Sequence, residues 1–238
     1  MKIFVPILAL FIMLTSVSIA NAHQPRLVKH ETTIVNNPEV SQAFYAELTG
    51  DPHEYKIESD VQFNLYVGLL VPDIAGVETD FSALITKEEQ VHNTGDDNDI
   101  HEHDRFEVLL DGPSHKWTPY YEEHAGDDYF IGPALQTDDS DPAFHPKGIA
   151  VEAGEYSVEI FSPDNEGKYV LVVGDTEKFP LIEIANTVTR VPQVKEYFNK
   201  SPLSAFSTPT MAGFLAIIVL LAVVVVGSIT FLIRKMKK

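Results

Sequence analysis

The sequence predicts a mainly β chain: an antiparallel β-sandwich of the jelly-roll or immunoglobulin-like kind, followed by a juxtamembrane helix and a single transmembrane helix. Three observations predict it. Apolar residues recur with a period of two through most of residues 42–174, the signature of half-buried strands. Clusters of Gly, Pro, Asp, Asn and Ser punctuate these runs, and no helical period intervenes between them. Finally, Met211 to Ile233 carry no charge over 23 residues, about 34 Å of helix at about 1.5 Å per residue, enough to cross a bilayer core with some tilt.

The elements follow in order. QAFYAEL places Phe44, Ala46 and Leu48 on one face, ends at the turn Gly50-Asp51-Pro52, and is followed by a short strand in HEYKIES. VQFNLYVGLLVP aligns Val61, Phe63, Leu65, Val67, Leu69 and Val71 on one side. That is the longest alternation in the chain and predicts a central strand. DFSALITKE and RFEVLLDG repeat the pattern with Phe81, Ala83 and Ile85, then Phe106, Val108 and Leu110. AGEYSVEIFSPDNEGKYVLVVGD is predicted as a hairpin, its arms carrying Tyr156, Val158, Ile160 and Tyr169, Leu171, Val173 about a Ser-Pro-Asp-Asn-Glu-Gly turn. From Phe179 the period becomes helical through Ile184, Val188, Val191, Val194 and Phe198, with Pro192 expected to kink or divide the helix.

The ends of the chain set the predicted topology. MKIFVPILALFIMLTSVSIANA has one Lys, an apolar stretch and the small-residue pattern Ala20-Asn21-Ala22, a cleavable signal peptide that leaves His23 first in the mature chain. Arg234, Lys235, Lys237 and Lys238 follow the apolar helix, which places the C-terminus in the cytoplasm and makes a type I protein of the cell membrane. No LPxTG-like or Pro-Glu-Pro-like sorting signature precedes the span, so a retained anchor is expected. The chain thus divides into signal peptide (1–22), extracytoplasmic sandwich (23–178), juxtamembrane helical segment (179–200), Ser/Thr/Pro linker (201–210), transmembrane helix (211–233) and basic tail (234–238).

Composition narrows the partners. All 35 Asp and Glu lie between residues 23 and 209, against 12 of the 17 Lys and Arg. A region so acidic repels nucleic acid and anionic lipid surfaces and attracts divalent cations and basic partners. The chain has no Cys, although an exported domain could form disulfides; about 185 residues bury an adequate core without them. Asn199-Lys200-Ser201 precedes Pro202, a poor glycosylation site, and together these features point to a bacterial or archaeal envelope protein.

The segment AGEYSVEIFSPDNEGKYVLVVG resembles the closing hairpin of the pre-peptidase C-terminal type of secreted prokaryotic β-sandwich, in which an "aGtY.l.v....g.YtL.v" pattern recurs. The resemblance covers about 22 residues. It implies a non-catalytic module for attachment or ligand contact.

Two constellations are candidates for chemistry. TGDDNDIHEHDRF sets His101 and His103 on one face of an extended segment beside Asp96, Asp97, Asp99 and Asp104. It departs from an EF-hand loop in lacking the sixth-position Gly and the closing bidentate Glu. The amine and imidazole of a mature His23, completed by His101 or His103, would instead chelate Cu(II) or another divalent cation, as in periplasmic copper-binding β-sandwiches whose chains begin with His. The second constellation, SHKWTPYYEEHAGDDYF, holds Trp117, Tyr120, Tyr121, Glu122, Glu123, Asp127 and Asp128. Rings beside carboxylates suit a glycan or a cationic protein ligand, and they also make ordinary loop anchors.

No Cys nucleophile, Gly-x-Ser-x-Gly, His-Glu-x-x-His or phosphate-binding Gly loop occurs in the sequence. The reading is a non-enzymatic, single-pass surface protein that displays a β-sandwich for ligand or partner binding. The alternative is an extracytoplasmic copper-binding or redox protein.

Overall fold

The period-two runs become thirteen strands in the computed structural model, which describes residues 23–88, 106–123, 125–137 and 147–237. In chain order these are β1 (Gln24–Leu27), β2 (Thr32–Val35), β3 (Gln42–Thr49), β4 (His53–Ser59), β5 (Phe63–Leu65), β6 (Val67–Pro72), β7 (Ser82–Lys87), β8 (Glu107–Leu110), β9 (Thr118–Glu122), β10 (Asp127–Leu135), β11 (Ile149–Val151), β12 (Gly154–Phe161) and β13 (Glu166–Val173). Two helices follow, α1 (Leu181–Tyr197) and α2 (Pro209–Met236). His23–Glu122 with Asp127–Lys178 make a β unit, and Glu123–Gly126 with the chain from Phe179 onward make a helical unit. The predicted signal peptide lies outside the described residues.

Six strands form one sheet in the order β1-β3-β13-β6-β10-β9, five form a second in the order β2-β4-β12-β7-β8, and β11 pairs with β5. The sheets are mixed rather than wholly antiparallel, because β1 runs parallel to β3 and β2 parallel to β4. The first four strands alternate between the sheets. β1 is therefore separated from β3 by a strand in the other sheet, and β2 from β4 likewise, so each pair runs in the same direction.

The predicted hairpin of residues 153–174 is also different. β12 pairs with β4 and β7 in the five-stranded sheet, whereas β13 pairs with β3 and β6 in the six-stranded one. The Ser-Pro-Asp-Asn-Glu-Gly segment is thus an arch between sheets. Its arms carry matching apolar faces, and those faces are buried toward a shared core instead of lying side by side in one sheet.

That core draws its side chains from both sheets: Phe44, Ala46, Leu48, Leu69, Val71, Leu171 and Val173 from one, and Tyr55, Ile57, Ala83, Ile85, Val158 and Ile160 from the other. The long alternation from Phe63 to Val71 is buried at every second residue, while Val61 is exposed. It is divided at Tyr66, with β5 pairing to β11 and β6 lying between β13 and β10. Strand β13 is buried on both faces, since Val170 and Val172 are covered as well as Leu171 and Val173.

Three polar side chains are enclosed by this core. The Tyr169 hydroxyl lies 2.8 Å from His53 Nδ1 and 2.9 Å from the Tyr55 hydroxyl. Burial holds the His53 imidazole below its ordinary value, only partly offset by Glu31. Below pH 6.5 the unfolded chain takes up a proton that folded His53 refuses, so stability falls until the pH drops beneath the lowered folded value. Urea unfolding at pH 7.5, 6.0 and 5.0 should show this loss, and a His53→Asn variant should show a smaller pH-dependent loss than the wild type.

In the helical unit, α1 runs undivided through Pro192. The expected 201–210 linker is folded: Pro202–Ser207 form a 3-10 turn, and Thr208 caps α2, its hydroxyl accepting from the Met211 N–H at 3.2 Å. Pro202 and Pro209 each open a helix at its first position, where a missing N–H has no cost. Phe179, Ile184, Val188, Val191, Ala205 and Phe206 pack with Met211 and Phe214. Helix α2 is long and apolar enough to cross a membrane.

Candidate functional site

The segment richest in rings and acids, Trp117 to Asp128, is built on the antiparallel pair β9–β10. Its register sets Glu122 opposite Asp127, Tyr121 opposite Asp128 and Tyr120 opposite Tyr129. Strand alternation then sorts the predicted ligand residues onto two faces. Tyr120, Glu122 and Asp127 share one face with Tyr129, while Tyr121 and Asp128 are exposed on the other. Glu123 is exposed and belongs to the helical unit. The seven residues are therefore not brought together as one pocket.

Trp117 is an anchor. Its indole N–H donates to the Gly112 carbonyl at 3.0 Å, and its ring lies so close over Gly132 that a Cβ there would meet the ring at 2.4 Å. The other face of the pair gathers phenols, with Tyr45 and Tyr129 buried beside Glu122 and Asp127 and with Tyr66 close to Tyr120. Burial pushes the hydroxyls of Tyr45, Tyr66 and Tyr129 well above the ordinary phenol range; for Tyr45 the next cause is Glu122, and for Tyr129 it is Tyr45. These groups stay protonated across the physiological range and serve as hydrogen-bond donors and acceptors.

The predicted copper ligands are only partly visible. His23 is half-buried at the start of β1 with Nδ1 2.5 Å from the Ser41 hydroxyl. His101 and His103, with Asp96, Asp97, Asp99 and Asp104, lie outside the described residues. Among the described residues no group of three or more His, Cys, Asp or Glu is arranged to hold a metal ion.

A different site emerges where three distant segments meet. The turn between β6 and β7 closes with the Val77 N–H donating to the Ile74 carbonyl at 3.2 Å, and Gly76 takes the left-handed conformation at φ +79°. The β12–β13 arch closes when Asn165 donates its N–H to the Ser162 carbonyl at 3.2 Å. Asp164 Oδ1 accepts from the Ser162 hydroxyl and the Glu166 N–H, both at 3.0 Å. Between this arch, the end of β3 and the Ile74–Glu78 turn lies an open cleft of about 380 Å³.

Glu47, Glu78, Asp164, Glu166 and Lys168 line it together with the apolar residues Ile74, Val77 and Phe81. Phe81 sits under Gly167, where a Cβ would lie 3.1 Å from the ring. Beside the cleft, Asp80 carries a buried Oδ1 that has no hydrogen-bond partner among the described residues. Burial first, and Asp164 second, hold the Asp80 carboxyl above the usual carboxylate range. A site of this composition suits a cationic head on an alkyl stem, with the stem against the apolar residues and the charge at the carboxylates.

No known family's sequence model matches the chain, and no curated protein matches it. In structure, the chain is similar to the pre-peptidase C-terminal domain of a collagenase from Bacillus anthracis, with 8% sequence identity, 64% of this chain and 96% of that chain covered, and a TM-score of 0.27.

Proposed function

We propose that this chain is a non-enzymatic, single-pass envelope protein whose β unit, a sandwich of the jelly-roll or immunoglobulin-like kind, is displayed outside the membrane to bind a basic partner. The observation that carries the reading is the cleft at the β12–β13 arch: four carboxylates against one cation, Lys168, beside the apolar residues Ile74, Val77 and Phe81, on a region whose overall acidic charge already draws cations toward it. Helix α2 supplies the anchor, and Arg234, Lys235 and Lys237 at its end favour a cytoplasmic C-terminus. The partner's chemistry is a Lys- or Arg-bearing peptide segment.

The test uses the full chain in phosphatidylcholine nanodiscs and a fluorescent oligoarginine peptide, read by anisotropy. The triple variant Glu47→Gln, Glu78→Gln, Glu166→Gln should bind about tenfold more weakly, since exposed ion pairs contribute roughly 0.2–1 kcal/mol each. A control with the same net charge changes Glu58, Glu155 and Glu159, which are exposed on the five-stranded sheet. Equal losses in both variants would reduce the effect to bulk charge and remove the cleft as a site.

A further inference from the structure

The first turns of α2 are covered by protein. Met211, Phe214 and Ile217, spaced three apart on one helical face, are only 1%, 1% and 7% exposed, and the first two pack with α1 and the 3-10 turn. From Ile218 onward almost every α2 residue described is half or fully exposed. The covering collar therefore grips the outer end of the helix alone.

Helix length fixes the depth of that collar. This step rests on reading α2 as a membrane span. A bilayer core of about 30 Å takes about 20 helical residues. Arg234 is the first charged residue beyond the apolar stretch, and 20 residues counted back from Ile233 reach Phe214. The outer edge of the hydrocarbon thus falls at Phe214, within the covered turns and not above them.

At the same level lies the start of α1. The rings of Phe179 and Phe214 are 6.0 Å apart between centroids. Two residues later Leu181 and Ile182 open the helix with 58% and 66% of their surfaces exposed. In water, two adjacent large aliphatic side chains at the tip of a helix bury nothing. At the boundary between headgroups and acyl chains they would be covered by lipid.

We infer that the N-terminal turn of α1 is a membrane-seated wedge, with Leu181 and Ile182 inserted in the outer leaflet beside α2. The occupant of this apolar tip is zwitterionic lipid, because the acidic outer region disfavours anionic headgroups. The seat would fix the α1 collar against the bilayer surface instead of leaving it on a free stalk.

The absence of Cys makes the test direct. Leu181→Cys, Ile182→Cys, Val226→Cys and Asp51→Cys are each labelled with an environment-sensitive fluorophore in full-length protein reconstituted into phosphatidylcholine vesicles containing spin-labelled lipid. Val226 is exposed in mid-α2, and Asp51 is exposed on the β3–β4 turn. The seat predicts blue-shifted emission at 181 and 182 and quenching by shallow spin labels, deep quenching at 226, and neither at 51. Quenching at 226 while 181 and 182 behave like 51 would overturn the seat and leave the span intact. No quenching at 226 would overturn the span reading and the seat with it.

Discussion

Replacing Gly112 with Ala should lower the unfolding temperature of the β unit by roughly 6–12 °C, the shift expected for a loss of about 3 kcal/mol in a domain of this size. The cause is packing and not backbone freedom. A Cβ on Gly112 would lie 1.9 Å from the Phe81 carbonyl oxygen and 2.6 Å from its carbon, and backbone atoms cannot step aside as a side-chain tip can. Gly112 is also a junction, with its N–H donating to the Ser82 hydroxyl at 3.1 Å and its carbonyl receiving the Trp117 indole N–H. Displacing it moves the start of β7 and the Trp117 anchor together. Gly50→Ala is the comparison: Gly50 has φ +113° but nothing within 4 Å of its would-be Cβ, so only conformational strain applies, about 1–3 kcal/mol, without the backbone clash that adds to the cost at Gly112. Thermal unfolding followed by circular dichroism should rank Gly112→Ala below Gly50→Ala. Equal melting temperatures would refute the close approach.

Tyr169→Phe should cost about 2–3 kcal/mol although it removes a single oxygen. That hydroxyl is the shared contact of His53 and Tyr55 inside an apolar core. Removing one partner of a buried polar group carries the desolvation penalty of the group left behind, about 1–3 kcal/mol. The ring itself, packed 5.4 Å from Phe81 between centroids, remains in Phe. Urea unfolding measures the difference through the midpoint at unchanged slope. The double variant Tyr169→Phe, His53→Leu should recover part of the loss, because both ends of one contact become apolar. A loss below 0.5 kcal/mol would mean that the three groups are satisfied independently.

Much of the strand inventory can be read from the sequence because alternation is a local signal. Phe44, Ala46 and Leu48, or Phe81, Ala83 and Ile85, announce both a strand and the face it buries. Pairing is not local. Nothing in AGEYSVEIFSPDNEGKYVLVVGD distinguishes a hairpin from an arch, since both need two apolar-faced arms and a turn; which neighbours each arm finds depends on β3, β4, β6 and β7. The parallel edges are hidden for the same reason. The fold of residues 201–210 was legible in principle, because Thr208-Pro209 is a cap followed by a first-turn Pro, but Ser, Thr and Pro also compose linkers.

Site residues divide along the same line. Trp117 to Asp128 attracts attention because its rings and acids are adjacent in sequence, and the pleat then separates them onto two faces. The cleft is assembled from Glu47, from Glu78 and from Asp164 and Glu166 of the arch, three segments far apart along the chain that form no motif together. Only the meeting of the arch with the β6–β7 turn makes them neighbours.

Hydrogen–deuterium exchange on the full chain in nanodiscs, with and without oligoarginine, tests the central claim most directly. Binding at the cleft predicts slowed exchange at the amides of Gly76–Glu78 and Glu166–Lys168, with the β9–β10 pair unchanged. Protection that is confined to Thr118–Asp128, or that spreads evenly over the acidic surface, would contradict the account.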